Sequence, residues 1–221
     1  MNDTWAAVDN YFGGLLAPND PVLTDALQSA NAAGLPQIQV TALQGKLLHL
    51  FARMISARNI LEIGTLGGYS TIWMARALPE DGRLITLEAD KKHADVAREN
   101  FDHAGVANKV ELRLGKALDT LPQIAAERRG PFDLIFIDAN KSSMPEYFAW
   151  SLKLARPGSI IIADNVVREG AVLNAESADA DIQGIRRFAE MLSKEKRVSA
   201  TAVQTVGSKN YDGFAVILVT A

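Results

Sequence analysis

Two apolar runs of the chain end in acid. One reads Phe132-Asp133-Leu134-Ile135-Phe136-Ile137-Asp138-Ala139-Asn140-Lys141, the other Ser159-Ile160-Ile161-Ile162-Ala163-Asp164-Asn165. If the two runs are neighbouring strands, their backbones lie about 4.8 Å apart, and Asp138, Asp164 and Asn165 converge on one point. Two carboxylates held that close repel unless a cation sits between them. Two Asp oxygens and an Asn carbonyl form a hard, all-oxygen set suited to Mg²⁺, Mn²⁺ or Ca²⁺, with water or substrate oxygens completing the shell. A single Asp after a strand is more often a helix cap. The Asp164-Asn165 pair matched with a second Asp on the other run is what points to metal. Lys141, three residues past Asp138, reaches the same crevice. A cation beside its ammonium disfavours the charged form and suits it to act as a general base. The alternative is a salt bridge to Asp138 or Asp164.

A second constellation lies upstream, in Ile60-Leu61-Glu62-Ile63-Gly64-Thr65-Leu66-Gly67-Gly68-Tyr69-Ser70. A glycine-rich turn between a strand and a helix lets backbone N–H groups approach a ligand. The spacing is G-x-x-G-G rather than the G-x-G-x-x-G of dinucleotide sites. Glu62, placed at the rim by this reading, would repel a pyrophosphate but accept hydrogen bonds from an ammonium. The loop therefore favours an amino-acid-bearing nucleoside over NAD. Glu88, at the end of the next apolar run, is placed to take both ribose hydroxyls; the plainer reading is a solvated strand end. Gly115-Lys116-Ala117-Leu118 follows the third run and would flank the adenine with small groups.

The elements that must position these residues follow from periodicity. Apolar runs at Ile60–Ile63, Leu84–Leu87, Val110–Leu114, Leu134–Ile137 and Ser159–Ala163 alternate with helical stretches near 70–78, 91–104, 117–128 and 145–155. Such alternation predicts βαβ units and a parallel sheet covered on both faces. A further helix over about 179–194 leads to strands at Arg197–Val206 and Phe214–Thr220. A tight turn at Tyr211-Asp212-Gly213 is expected to make these two antiparallel. Before residue 59 the chain reads as helices: Asp3 or Thr4 caps a segment to Leu16, Asp20-Pro21 opens a second that closes at Gly34, and Thr41 caps Ala42 to Ser56. No repeat or linker interrupts the chain. The expectation is one domain over 1–221, with a helical extension (1–58) and a cofactor-binding α/β core (59–221).

Composition narrows the classes. The 221 residues are 48% apolar, with 16 Gly and 8 Pro, an ordinary globular balance. The formal charge of −3 supplies no positive field for nucleic acid or acidic membranes. The absence of cysteine excludes a disulfide scaffold, a thiolate zinc site and a cysteine nucleophile. With neither a signal peptide nor a membrane span legible, a cytoplasmic protein is expected.

Together the motifs resemble the cation-dependent, S-adenosylmethionine (SAM)-dependent class I O-methyltransferases, the family of catechol and caffeoyl-CoA O-methyltransferases and their small bacterial relatives. The resemblance rests on Leu61-Glu62-Ile63-Gly64 through Gly68-Tyr69-Ser70, Glu88, Gly115 to Leu118, Asp138-Ala139-Asn140-Lys141 and Asp164-Asn165, and spans about residues 36 to 220. It implies a Rossmann-like α/β fold: a seven-stranded, mostly parallel sheet with an antiparallel last strand, and helices on both faces. It implies that Glu62 and Ser70 hold the methionine end of SAM, with the Gly64-Thr65 backbone and Val40 alongside. Glu88 would bind ribose and Ala117 would lie by the adenine. Asp138, Asp164 and Asn165 would hold the metal, with Asp138 also near the cofactor. Lys141 would be the base or the electrostatic partner of the acceptor oxyanion. The N-terminal helices would cover the active site or form a homodimer interface. The sequence departs from plant-type relatives at Asn140, Met144 and Lys116, which leaves the metal set intact but not substrate contacts copied from those enzymes.

The resulting expectation is methyl transfer to a hydroxyl of a catechol-like small molecule, with Mg²⁺ as the first-choice cation. A transfer RNA hydroxyuridine methyltransferase is the runner-up; Lys194 to Arg197, interrupted by Glu195, is too short a basic stretch to favour it. A non-catalytic cofactor-binding protein is opposed by the intact Lys141 and metal set, and an NAD-dependent dehydrogenase by Glu62. His49, His93 and His103 show no ligand spacing and read as helix surfaces or ends. Trp5, Trp73 and Trp150 read as packing. Tyr147 and Tyr211 are candidates for the acceptor pocket, and 166–179 for a mobile loop over it.

Overall fold

The Ile, Leu and Val runs form the centre of one sheet because β-branched and leucine side chains pack well on a pleated surface covered on both sides. The computed structural model describes residues 3–18 and 20–221. Helices α1 (Asp3–Leu16), α2 (Pro21–Ala32) and α3 (Ala42–Met54) precede β1 (Asn59–Ile63), α4 (Tyr69–Ala75), β2 (Arg83–Glu88), α5 (Lys91–His103) and β3 (Val110–Leu114). There follow α6 (Ala117–Ala126), β4 (Phe132–Ile137), α7 (Met144–Leu154), β5 (Ala155–Asp164), α8 (Ala180–Lys194), β6 (Val198–Gly207) and β7 (Asn210–Val219). Caps begin several helices where expected: Asp20 accepts from the amides of Val22 and Leu23, and Thr41 from that of Gln44.

The sheet order is β3-β2-β1-β4-β5-β7-β6. The strands from β1 to β5 pair in parallel, and β7 is antiparallel to both β5 and β6, so the fold is the seven-stranded arrangement with a reversed last strand. Alternate residues of each strand feed two cores. Ile60, Leu84, Leu134 and Phe136 pack with α2, α3, α4 and α5, whereas Leu61, Ile85, Ile135 and Ile161 pack with α6, α7 and α8. The strand order reverses between β1 and β4, and a crevice opens at their carboxyl ends, where ligands bind in this architecture. No helix among the described residues is long and apolar enough to cross a membrane.

One expected turn is misplaced. Tyr211, Asp212 and Gly213 lie inside β7, and the connection is Ser208-Lys209, between the paired residues Gly207 and Asn210. Asn210 takes the left-handed conformation that the tight turn needs, at φ +68°. Gly213 is there for close approach: a Cβ would stand 2.4 Å from the Val203 carbonyl oxygen and 2.7 Å from the Val167 side chain. Pairing of β7 with β5 stops at Phe214 opposite Asp164. The pairs from Gln204–Gly213 to Gly207–Asn210 therefore project beyond β5 as a two-stranded arm.

Candidate active site

The floor of the crevice is the glycine loop after β1. Gly64 has φ +103°, and a Cβ there would come 2.0 Å from the Asp138 carbonyl oxygen. That closeness lets Asp138 N donate to Ile63 O at 2.8 Å and brings the ends of β1 and β4 together. Glu62 departs from expectation. It is fully buried beneath the loop rather than at the rim. Its carboxylate accepts from Ser70 Oγ and Thr86 Oγ1, both at 2.6 Å, and from Thr71 Oγ1. Burial pushes this carboxyl up to about 7 despite the three hydroxyls, with the charge of Asp138 adding to the rise. The strand alternation that makes β1 a two-sided core strand turns residue 62 inward, and of its three hydroxyl partners only Ser70 lines the cavity.

Glu88, at the end of β2, faces the crevice. Its Oε2 accepts from Leu66 N at 2.8 Å and Thr65 N at 3.3 Å, and its Oε1 from Asp90 N at 2.9 Å. His93, read as a surface residue, lines the same cavity with Nδ1 3.6 Å from Glu88 Oε1. Gly115 and Ala117 line it from the end of β3.

At the other side of β1, β4 and β5 deliver the acids. Lys141 is buried, and its Nζ donates to Asp138 Oδ1 at 2.9 Å. The turn that carries it is pressed by α8: a Cβ on Gly184 would stand 2.1 Å from Lys141 O, and Asp181 accepts from Ser142 N at 2.8 Å. Asp164 is buried, and its Oδ1 accepts from Asn165 N at 2.9 Å. Its Oδ2 accepts from Gln44 Nε2 at 2.8 Å. Burial first, then the charge of Asp138, drive the Asp164 carboxyl well above the usual range, against the pull of Lys141. Asn165 holds φ +56°, a strained conformation that Asn tolerates better than most residues.

These groups line one cavity of about 950 Å³, which holds Val40, Gly64, Thr65, Ser70, Glu88 and Ala117 together with Asp138, Lys141, Asp164 and Asn165. Glu62 lies outside it, as do Lys116 and Leu118 of the stretch read as flanking the adenine. Tyr147 and Tyr211 both line it, and Tyr147 OH donates to Asn140 Oδ1 at 2.5 Å. Gln44 also lines it, although no local pattern in the sequence reports that its helix crosses the end of β5. The 166–179 segment forms a wall rather than a free loop, because Asp212 Oδ1 accepts from Val167 N at 3.1 Å and Arg168 N at 2.9 Å. Among the described residues no three His, Cys, Asp or Glu side chains form a metal-holding group; the acidic set here is two carboxylates and an amide.

Residues 17–215 match the O-methyltransferase family model. A catechol O-methyltransferase of Niastella koreensis is 53% identical over 218 residues, which is 99% of each chain. One from Mycobacterium tuberculosis is 52% identical over 96% of this chain and 94% of its own. Among solved structures, an O-methyltransferase from Bacillus cereus in complex with SAH is 56% identical, with a TM-score of 0.98 over 100% of both chains. TomG from Streptomyces achromogenes, an O-methyltransferase in complex with SAM, is 52% identical, with a TM-score of 0.97 over 100% of both chains. Sequence, fold and the crevice at the switch point agree: this chain belongs to the class I O-methyltransferase family and is a SAM-dependent O-methyltransferase.

Proposed function

We propose that the protein transfers the methyl group of SAM to one hydroxyl of a vicinal dihydroxy aromatic small molecule, with a divalent cation, Mg²⁺ first, held by Asp138, Asp164 and Asn165. The observation that carries this reading is the pairing of two carboxylates from adjacent strands with an amide and a buried lysine. Asp164 is buried, so its charge is costly, and the neighbouring Asp138 makes it costlier. A hard cation is the partner that such an oxygen set suits. The names of the relatives at 53% and 52% identity support the catechol acceptor.

The chain's own residues then divide the work. Ser70, with the Gly64-Thr65 backbone and Val40 alongside, would hold the methionine end, and buried Glu62 would fix Ser70 from beneath. Glu88 would take the ribose hydroxyls and Ala117 would flank the adenine. Lys141 would take or share the proton of the acceptor hydroxyl at Nζ, held in place by Asp138. When bound, the cation would act as Lewis acid and template for two vicinal oxygens, while the sulfonium supplies the methyl. The test is methyl transfer from labelled SAM to a panel of catechols, caffeic acid included, with Mg²⁺ and with EDTA. Turnover that EDTA removes is expected. Turnover undiminished by EDTA rules out the cation, and SAM binding without turnover on any catechol rules out the acceptor class.

A further inference from the structure

The two-stranded arm made by the ends of β6 and β7 ends over the crevice, and its Lys209, Tyr211 and Asp212 line the cavity. It is fastened at three places. At the base, Asp212 binds the backbone after Asn165 as described above. Across the mouth, Lys209 Nζ donates to Gln37 O at 2.7 Å, in the segment that leads to Val40. At the tip, Asp9 of α1 accepts from Ser208 N at 2.8 Å and from Ser208 Oγ at 3.1 Å. The two elements approach closely here: a Cβ at Gly207 would meet Asp9 Oδ2 at 2.3 Å, so the Asp9 carboxylate would have to shift to admit a side chain.

The helix that makes this last fastening buries none of its residues within this chain, and Tyr11, Leu15 and Leu16 are 64%, 61% and 59% exposed. A crevice of about 320 Å³ runs beneath it, lined by Gly13, Gly14, Thr41, Leu43 and Ser208. Segments with few buried apolar contacts open at low cost, and the Ser208 bonds to Asp9 are solvent-exposed.

We propose that the arm tip (Gly207–Asn210) is the gate of the acceptor cavity, and that Asp9 is a positioning residue through which α1 clasps this gate shut. The gate rests on the catechol reading of the cavity, and its test keeps the two apart. A Cβ at Gly207 would stand 2.9 Å from Asp9 Cγ, the place a cysteine sulfur at position 9 would take, and the S–S bond length sets the Cβ-to-sulfur separation across a disulfide at about 3 Å. The chain has no cysteine of its own, so D9C/G207C carries the sole pair. The probe is a nitrocatechol, whose absorption reports binding to the SAM-loaded enzyme. Oxidised D9C/G207C is expected to associate at least tenfold more slowly than the reduced form, with SAM affinity unchanged and reductant restoring the rate. In D9A, dissociation should quicken at least fivefold, and D9N, which keeps an oxygen acceptor, should restore it. Equal rates in the oxidised and reduced forms overturn the gate. Failure of the wild type to bind any catechol overturns the acceptor reading instead. The gate is then read by amide exchange, which should rise together in residues 37–40 and 204–213 on reduction of the disulfide; equal exchange in the two forms overturns it.

Discussion

Gln44 of α3 donates through Nε2 to Asp164 Oδ2, 2.8 Å away, across 120 residues of sequence. The bond satisfies one oxygen of a buried carboxylate and leaves the charge where β5 ends. Replacing such an orienting donor typically weakens metal affinity or activity by about 10–100-fold. For Q44L we expect the Mg²⁺ concentration giving half-maximal turnover to rise by about tenfold or more, with the KM for SAM little changed. A Mg²⁺ titration of initial rates checks this.

Removing the carboxylate itself should separate the two halves of the crevice. Asp164 ends β5, while Glu88 and Ala117 lie on the far side of β1, at the ends of β2 and β3. D164A is expected to lose cation-dependent turnover and keep SAM affinity within about threefold, roughly 0.65 kcal/mol, by calorimetric titration. Full activity in this variant would sink the metal assignment.

Glu88 has a double task, fixing the Thr65 and Leu66 amides and facing the ligand space. Charge-assisted bonds are about twice as strong as neutral ones. E88A should therefore weaken SAM binding by about 10–100-fold, the equivalent of roughly 1.4–2.8 kcal/mol. The same titration checks it, with wild-type affinity as the outcome that removes Glu88 from the site.

Gly64 and Gly105 offer a matched pair for the backbone argument. Both have positive φ, but a Cβ at Gly64 would collide with the Asp138 carbonyl, whereas one at Gly105 meets nothing within 4 Å. G105A should cost about 1 kcal/mol, the left-handed penalty alone. G64A should cost about 3 kcal/mol or more. Thermal melting of the two variants, side by side, measures the difference.

Glu62 sets a pH dependence. Its carboxyl is raised in the folded state from 4.5 to about 7, so the folded chain binds the proton more tightly than the unfolded one. Stability is then greatest below the unfolded value and falls as pH rises through the window from 4.5 to about 7. Asp164 shifts in the same direction, so the comparison must be with E62Q, which keeps Asp164. Between about pH 5 and about pH 8, wild type should lose roughly 2 kcal/mol more unfolding free energy than E62Q. Denaturant melts of the ligand-free proteins at both pH values check this; parallel losses would show that Glu62 is not protonated in the fold.

What the chain determines by itself is local and periodic. The apolar runs specify buried strands, and their polar terminators Glu88, Asp138 and Asp164 must then emerge at one edge of a parallel sheet. The glycines of the first loop mark where the backbone must turn tightly. That logic brings Ala117, Lys141 and Asn165 to one crevice, and the family resemblance adds Val40 and Ser70; all five line the cavity. Tertiary packing decided what depends on elements distant in sequence. It turned Glu62 under the loop, because β1 is covered on both faces and that side chain points into the protein. It moved the last turn to Ser208-Lys209, because Gly213 serves the close approach of Val203 rather than a reversal. It also brought Gln44 to Asp164 and Asp9 to Ser208, contacts set by where α3 and α1 lie across the ends of the strands. Periodicity identifies which face of a helix is buried, but not which strand end it covers, since that follows from three-dimensional packing of the whole chain.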